Sequence, residues 1–155
     1  MATLTVTHTE ALIVNGSSEG RTTTTSITGV NHVFKRNVTC VDDTDCTIAT
    51  FQTATNTADN AIDIEDVKYI RVTNLSGSHP CNLSLQIAGA EGGVANMSSS
   101  HLIGAGQVFL LYTVHDGIAV SDTDAAIVDS LTDLESILID PLSENVEVEI
   151  FIASA

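Results

Sequence analysis

An all-β fold, an antiparallel β-sandwich of jelly-roll type with at most one short helix, is what the amino-acid sequence predicts, and three observations predict it. First, from Val146 to Ile152 apolar side chains fall on every second residue, with Glu147 and Glu149 between them until Phe151 interrupts the polar side. That is the period of a strand with one face in a core and the other in water. Second, threonine, valine and isoleucine occur 20, 15 and 14 times. Such β-branched side chains pack well on a pleated surface and lose freedom in a helix. Third, short apolar runs alternate with polar turn clusters, and no helical pattern recurs between them. This spacing calls for about nine to twelve antiparallel strands in two packed sheets and argues against a parallel α/β fold.

The elements follow in order. Leu4 to His8 and Leu12 to Val14 are short strands closed by Asn15-Gly16-Ser17-Ser18-Glu19-Gly20. Arg21 to Ile27 is a threonine run suited to a polar edge strand. His32 to Cys40 and Cys46 to Phe51 read as a hairpin around an acidic turn, and Gln52 to Asn60 as a long surface loop. Val67 to Thr73 alternates Val67, Tyr69 and Arg71 against Lys68, Ile70 and Val72, which places it centrally and covered on both sides. Cys81, Leu83, Leu85 and Ile87 share one face of the next strand, and Ala88 to Ser100 is a loop leading to His101-Leu102-Ile103. Gly104-Ala105-Gly106 turns into the apolar strand Val108 to Val114, and His115-Asp116-Gly117 turns into Ile118 to Val120. Asp122 to Asp133 is the place for the one short helix, and Ser136 to Ile139 is a strand stopped by Asp140-Pro141. The final strand should bury Val146, Val148, Ile150 and Ile152, expose Glu147 and Glu149, and have Phe151 covered by a loop or a neighbouring subunit. A chain of 155 residues suits one domain over residues 1–155, with residues 1–10 as an N-terminal arm or strand.

Twenty acidic residues face five basic ones, for a net charge of −15. Arg21, Lys35, Arg36, Lys68 and Arg71 are too few and scattered to neutralise a phosphate backbone, so neither nucleic acid nor an anionic membrane is an expected partner. The acidic surface suits either plain solubility or a basic partner. Tryptophan is absent, and aromatic residues are 4% of the chain, which argues against a glycan site built on stacked rings. The first residues lack the basic and apolar regions of a secretory signal, so synthesis in a cytoplasm without export is expected.

Candidate chemistry is sparse, and no catalytic, cofactor or metal residues are assigned. Cys40, Cys46 and Cys81 are expected as free thiols, with a Cys40–Cys46 bridge as the alternative. They lack the spacing of a zinc site. Asp42, Asp43 and Asp45, or Asp63, Glu65 and Asp66, or Asp122 and Asp124, offer oxygens to calcium without the loop motif that would gather six to eight of them. His8, His32, His79, His101 and His115 are far apart, and neighbours such as His115 and Asp116 point to opposite faces of an extended chain. Gly104-Ala105-Gly106 lacks the lysine and following helix of a phosphate loop. An enzyme is not expected.

From about Val67 to Ala155 the strand order carries a resemblance. Tyr69-Ile70-Arg71-Val72-Thr73-Asn74 is followed by Leu83-Ser84-Leu85-Gln86-Ile87, and then by Leu102-Ile103-Gly104-Ala105-Gly106-Gln107-Val108-Phe109-Leu110-Leu111. Leu134-Glu135-Ser136-Ile137 and the acidic tail from Val146 to Ala153 close the order. It resembles small virion structural proteins of tailed bacteriophages, above all capsid decoration (cement) proteins. The resemblance implies a capsid decoration subunit, located in the virion and made in the host cytoplasm. It further implies a homotrimer bound to the major capsid protein or another virion protein, with strand edges and the loops Gln52 to Asn60 and Ala88 to Ser100 in contact. A tail, fibre-base or head–tail junction component is the alternative, and a glycan- or host-surface-binding module is the alternative of another class.

Overall fold

The structure, a computed structural model, describes residues 1–52, 62–87, 97–114, 118 and 134–155. The expected turn at His115 to Gly117, the helix at Asp122 to Asp133, and most of both expected contact loops lie outside the described residues. So do Asp122 and Asp124.

Among the described residues every regular element is a strand. They are β1 (Ala2–Thr9), β2 (Ile13–Val14), β3 (Ser17–Ser18), β4 (Thr22–Val30), β5 (His32–Cys40), β6 (Cys46–Gln52), β7 (Ile62–Asp63), β8 (Val67–Asn74), β9 (Cys81–Ile87), β10 (Met97–Ile103), β11 (Val108–Tyr112), β12 (Leu134–Asp140) and β13 (Val146–Ser154). A four-stranded sheet has the order β11-β8-β13-β5, and a five-stranded sheet the order β10-β9-β12-β6-β7. The ladders among the described residues are antiparallel except for the short parallel addition of β7 to β6.

Leaving β7 aside, the eight strands from β5 to β13 pair by nesting: β5 with β13, β6 with β12, β8 with β11, and β9 with β10. Two further ladders, β13 with β8 and β12 with β9, join these pairs into sheets. A long hairpin rolled over on itself has this connectivity, and it is the jelly-roll order. The fold class expected from the sequence is therefore the observed one.

The core lies between the two sheets and is aliphatic. Ile70, Val72, Val148, Ile150 and Ile152 from one sheet meet Ile48, Phe51, Leu83, Ile137 and Ile139 from the other. Strand alternation aims these residues inward, and a bulge in the β12–β6 ladder between Ile137 and Leu138 lets both Ile48 and Ala49 face the core.

Several local expectations need correction. β5 and β6 do not form a hairpin: the acidic turn between them carries the chain from one sheet to the other. Each strand buries its core side against the opposite sheet and pairs with a distant strand instead. Met97 to Ser100 belong to β10, because Ser98, Ser99 and Ser100 pair with Gln86, Leu85 and Ser84 on an edge that tolerates polar side chains. Val108 to Val114 ends as a strand at Tyr112.

The first thirty residues stand apart from the roll. β1 and β4 form a two-stranded ribbon in continuous register from Thr3↔Thr28 to Thr9↔Thr22. Beyond it, Glu10 N–H donates to Arg21 C=O at 2.8 Å and Glu19 N–H to Leu12 C=O at 2.8 Å, so the ladder resumes in β2 and β3. Asn15 and Gly16 close the tip, both at positive φ. This left-handed pair matches a two-residue hairpin to the twist of its strands. A Cβ on Gly20 would collide with the Glu10 carbonyl oxygen, so only glycine lets the two chains cross this closely below the tip.

Candidate functional site: the N-terminal ribbon and the sheet beneath it

Alternation gives the ribbon two unlike faces. Thr3, Thr5, Thr7 and Thr9 stand opposite Thr28, Ser26, Thr24 and Thr22, so one face is entirely hydroxyl. Cross-strand Thr7–Thr24 and Thr22–Thr9 oxygens lie 3.3 Å apart. On the other face only the base is apolar. There Leu4, Val6, Ile27 and Val30 close over Tyr69, Phe151 and Ala153 on the outer face of the four-stranded sheet. Polar bonds tie down the junction: Asn31 N–H donates to Ser154 C=O at 2.9 Å, and Lys68 Nζ donates to Thr28 C=O at 3.4 Å.

Further out the apolar side stops, and His8, Glu10 and Arg21 are exposed. Apolar residues return at the tip, where Leu12 is 54% and Ile13 77% exposed. A two-stranded hairpin is marginal in water on its own. This one is anchored at its base and presents uncovered aliphatic side chains at its far end.

Beside the base, Ala2, Thr3, Leu4, Val30, Val33, Phe151 and Ala153 line an open apolar pocket of about 150 Å³. Phe151 forms its inner wall, edge-on to Tyr69 at 5.8 Å between ring centroids and under the Arg71 guanidinium at 5.3 Å. The cover over Phe151 is therefore the strand ribbon of its own chain with Arg71, and not the expected loop or neighbouring subunit. Arg71 also bonds Glu149, whose other oxygen takes Lys35 at 2.9 Å. Glu149 is thus held between two cations and not simply exposed. Those bonds, the one from Lys35 first, keep its carboxyl below the usual range against the opposing effect of desolvation.

The other expected candidates are placed as follows. Cys40, Cys46 and Cys81 are free, with Cys40 and Cys81 buried. Burial drives the Cys40 thiol far above its ordinary pKa, with neighbouring Cys46 adding to the effect. Burial and then Asp140 push Cys81 up to about 11. Both are therefore protonated packing groups and poor nucleophiles.

Asp42 spends its carboxylate on the Asp43 N–H at 2.9 Å, and its own N–H donates to Asn145 Oδ1 at 2.8 Å, which joins the two acidic loops at one end of the roll. Asp63 accepts from Glu65 N–H at 3.1 Å in the same manner. Among the described residues no group of three or more His, Cys, Asp or Glu is gathered to hold a metal ion. His8 lies beside Glu10 at 3.3 Å on the ribbon, and His101 beside Ser99 at 3.0 Å on β10, far from each other in the fold.

Gly104-Ala105-Gly106 is a turn. Gln107 N–H donates to Gly104 C=O at 3.0 Å, and Gly106 N–H donates to Asn74 C=O at 3.1 Å. Asn74, at the end of β8, is the one buried polar residue among those described. The ribbon was missed as a unit, although Asn15-Gly16 between two alternating runs is a strong hairpin signal. The chain matches no protein-family model, no curated protein and no solved structure.

Proposed function

We propose that this chain is a structural subunit of a tailed-phage particle, a capsid decoration protein that strengthens the head shell. The observation that carries the reading is the ribbon: a rigid jelly roll holds out an arm whose tip leaves aliphatic side chains uncovered. Such an arm fits a protein that completes its contacts by assembling. The strand order from Val67 to Ala155 supports the same reading through its resemblance to decoration proteins. Charge fits as well. Glu10, Glu19 and Arg21 are the ribbon's charged residues, so the roll carries all but one of the fifteen net negative charges. An acidic body on a near-neutral arm suits docking on basic capsid patches, with attraction that weakens in salt.

In this reading the roll acts as a stiff spacer and the arm reaches across a junction between shell subunits. Each bound copy adds contacts that bare shell subunits lack. Particles lacking the protein should lose infectivity or burst at lower temperature, and purified protein added back should restore their resistance. Particles that package DNA and withstand heat equally well without it overturn the proposal and leave a tail or junction role.

A further inference from the structure

The ribbon carries a knob at one end and a hole at the other, and we propose that they fit between copies of this chain: the Ile13 tip of one protomer seats in the Ala2–Val30–Val33–Phe151 pocket of the next. This goes beyond the decoration reading and stands without a shell.

Four observations support it. The knob is aliphatic and exposed, and the Asn15-Gly16 turn and the β2–β3 ladder set its backbone shape. The pocket is lined by apolar side chains with one threonine, and its volume of about 150 Å³ matches a single bulky apolar group. An apolar cavity of roughly that size holds a benzene molecule.

Geometry then excludes the chain's own tip. Leu4 borders the pocket, whereas Ile13 lies two ladder segments further along the ribbon. An extended strand gains length with every residue, so the tip is carried well away from the pocket rim. A paired ladder cannot double back over that span. The occupant must come from another molecule.

Charge selects a second copy over a basic stranger at this spot. Two chains of charge −15 repel over most of their surface. Leu12 to Ser18 and all seven pocket residues are uncharged. Knob and hole therefore meet where like-charge repulsion is least. A basic partner would instead be drawn to the acidic loops at Asp42, Asp43, Asp45 and Glu144.

One seated side chain is too little to hold two proteins together. Each copy, however, offers one knob and one hole at opposite ends of the ribbon, so copies link head to tail and a closed ring seats every tip.

The full-length chain tests this by sedimentation equilibrium over a wide concentration range. The wild type should assemble into a closed oligomer. Ile13→Asp and, separately, Val33→Asp should each raise the dissociation constant roughly tenfold or more, the value of a buried aliphatic side chain. Both positions are exposed in the protomer, so melting of the dissociated chain should not change. A chain carrying Ile13→Cys and Val33→Cys should cross-link into ladders on mild oxidation, whereas either substitution alone should not. A monomeric wild type, an oligomer indifferent to both charges, or a cross-link confined within one chain overturns the proposal.

Discussion

The Asn74 side-chain amide donates to the carbonyl of Ile103 at 3.2 Å, joining the end of β8 to the end of β10 across the two sheets. The same amide donates to His79 C=O at 2.8 Å, and its oxygen accepts from Ser76 N–H at 2.9 Å. Its backbone closes the next turn through Gln107 and Gly106. One buried residue therefore satisfies polar groups of two adjacent connections, the Ile103 carbonyl among them fully buried.

Asn74→Ala should accordingly destabilise the protein by about 2–4 kcal/mol, because buried carbonyls lose their donor as well as a bond. Chemical denaturation measures it. A loss below about 0.5 kcal/mol, the size of an ordinary surface change, would mean that water replaces the amide.

In the core, Ile150→Ala should cost about 2–5 kcal/mol, and Glu147→Gln should be nearly silent. Ile150 is fully buried, whereas Glu147 is exposed, with Asn37 as its side-chain partner at 3.2 Å. Equal effects at the two sites would place β13 in the wrong register.

Glu149 sets a pH dependence. Its carboxyl is held below its ordinary value in the folded chain. Its contribution is therefore present above the unfolded carboxylate value of about 4.3. That contribution fades as pH falls through the lowered folded value. Glu149→Gln should lower the melting temperature at neutral pH, and the gap from wild type should close as pH falls through the lowered folded value. A gap that persists in acid would assign the effect to packing.

Thiol reactivity should split by burial. In native protein Cys46, half-buried, should react with a disulfide reagent well before Cys40 and Cys81, and denaturation should release three thiols per chain. A single thiol after denaturation would reveal a bridge.

At the ribbon tip, Gly16→Ala places a side chain on a left-handed backbone position. It should cost roughly 1 kcal/mol of local stability. Hydrogen exchange at the Glu19 amide reads that loss directly, while global melting should stay unchanged.

How much of this was legible in the sequence depended on burial. β8, β9 and β13 carry one apolar face or two, and their core faces match the sequence reading, whereas Glu149, expected exposed on β13, is largely covered by Lys35 and Arg71. Arg21 to Ile27 was legible as a strand, but its mate was not, since threonine on both sides names no core. The β5–β6 pairing was misread because neighbours in sequence usually pair, and only the whole set of ladders reveals that the turn changes sheets. Phe151 and Glu149 needed the third dimension: what covers one and clamps the other comes from Leu4, Lys35 and Arg71, all distant in sequence. Asn74 had no periodic signal, because its role is to satisfy backbone groups.

The nesting of the roll's first strand with its last also governs how the chain can fold. β5 finds its ladder on β13, with His32 opposite Ser154 and Cys40 opposite Val146, so it is translated long before its partner exists. Closing so large a loop is entropically expensive and is rewarded only when the final strand arrives. The ribbon, by contrast, pairs with itself across a tight turn and can zip within microseconds of synthesis. On a nascent chain the arm's ladder therefore pairs early, but its anchor on Phe151 and Ala153 arrives only with the last strand, and in the meantime Lys35 and Arg36 guard the edge of β5.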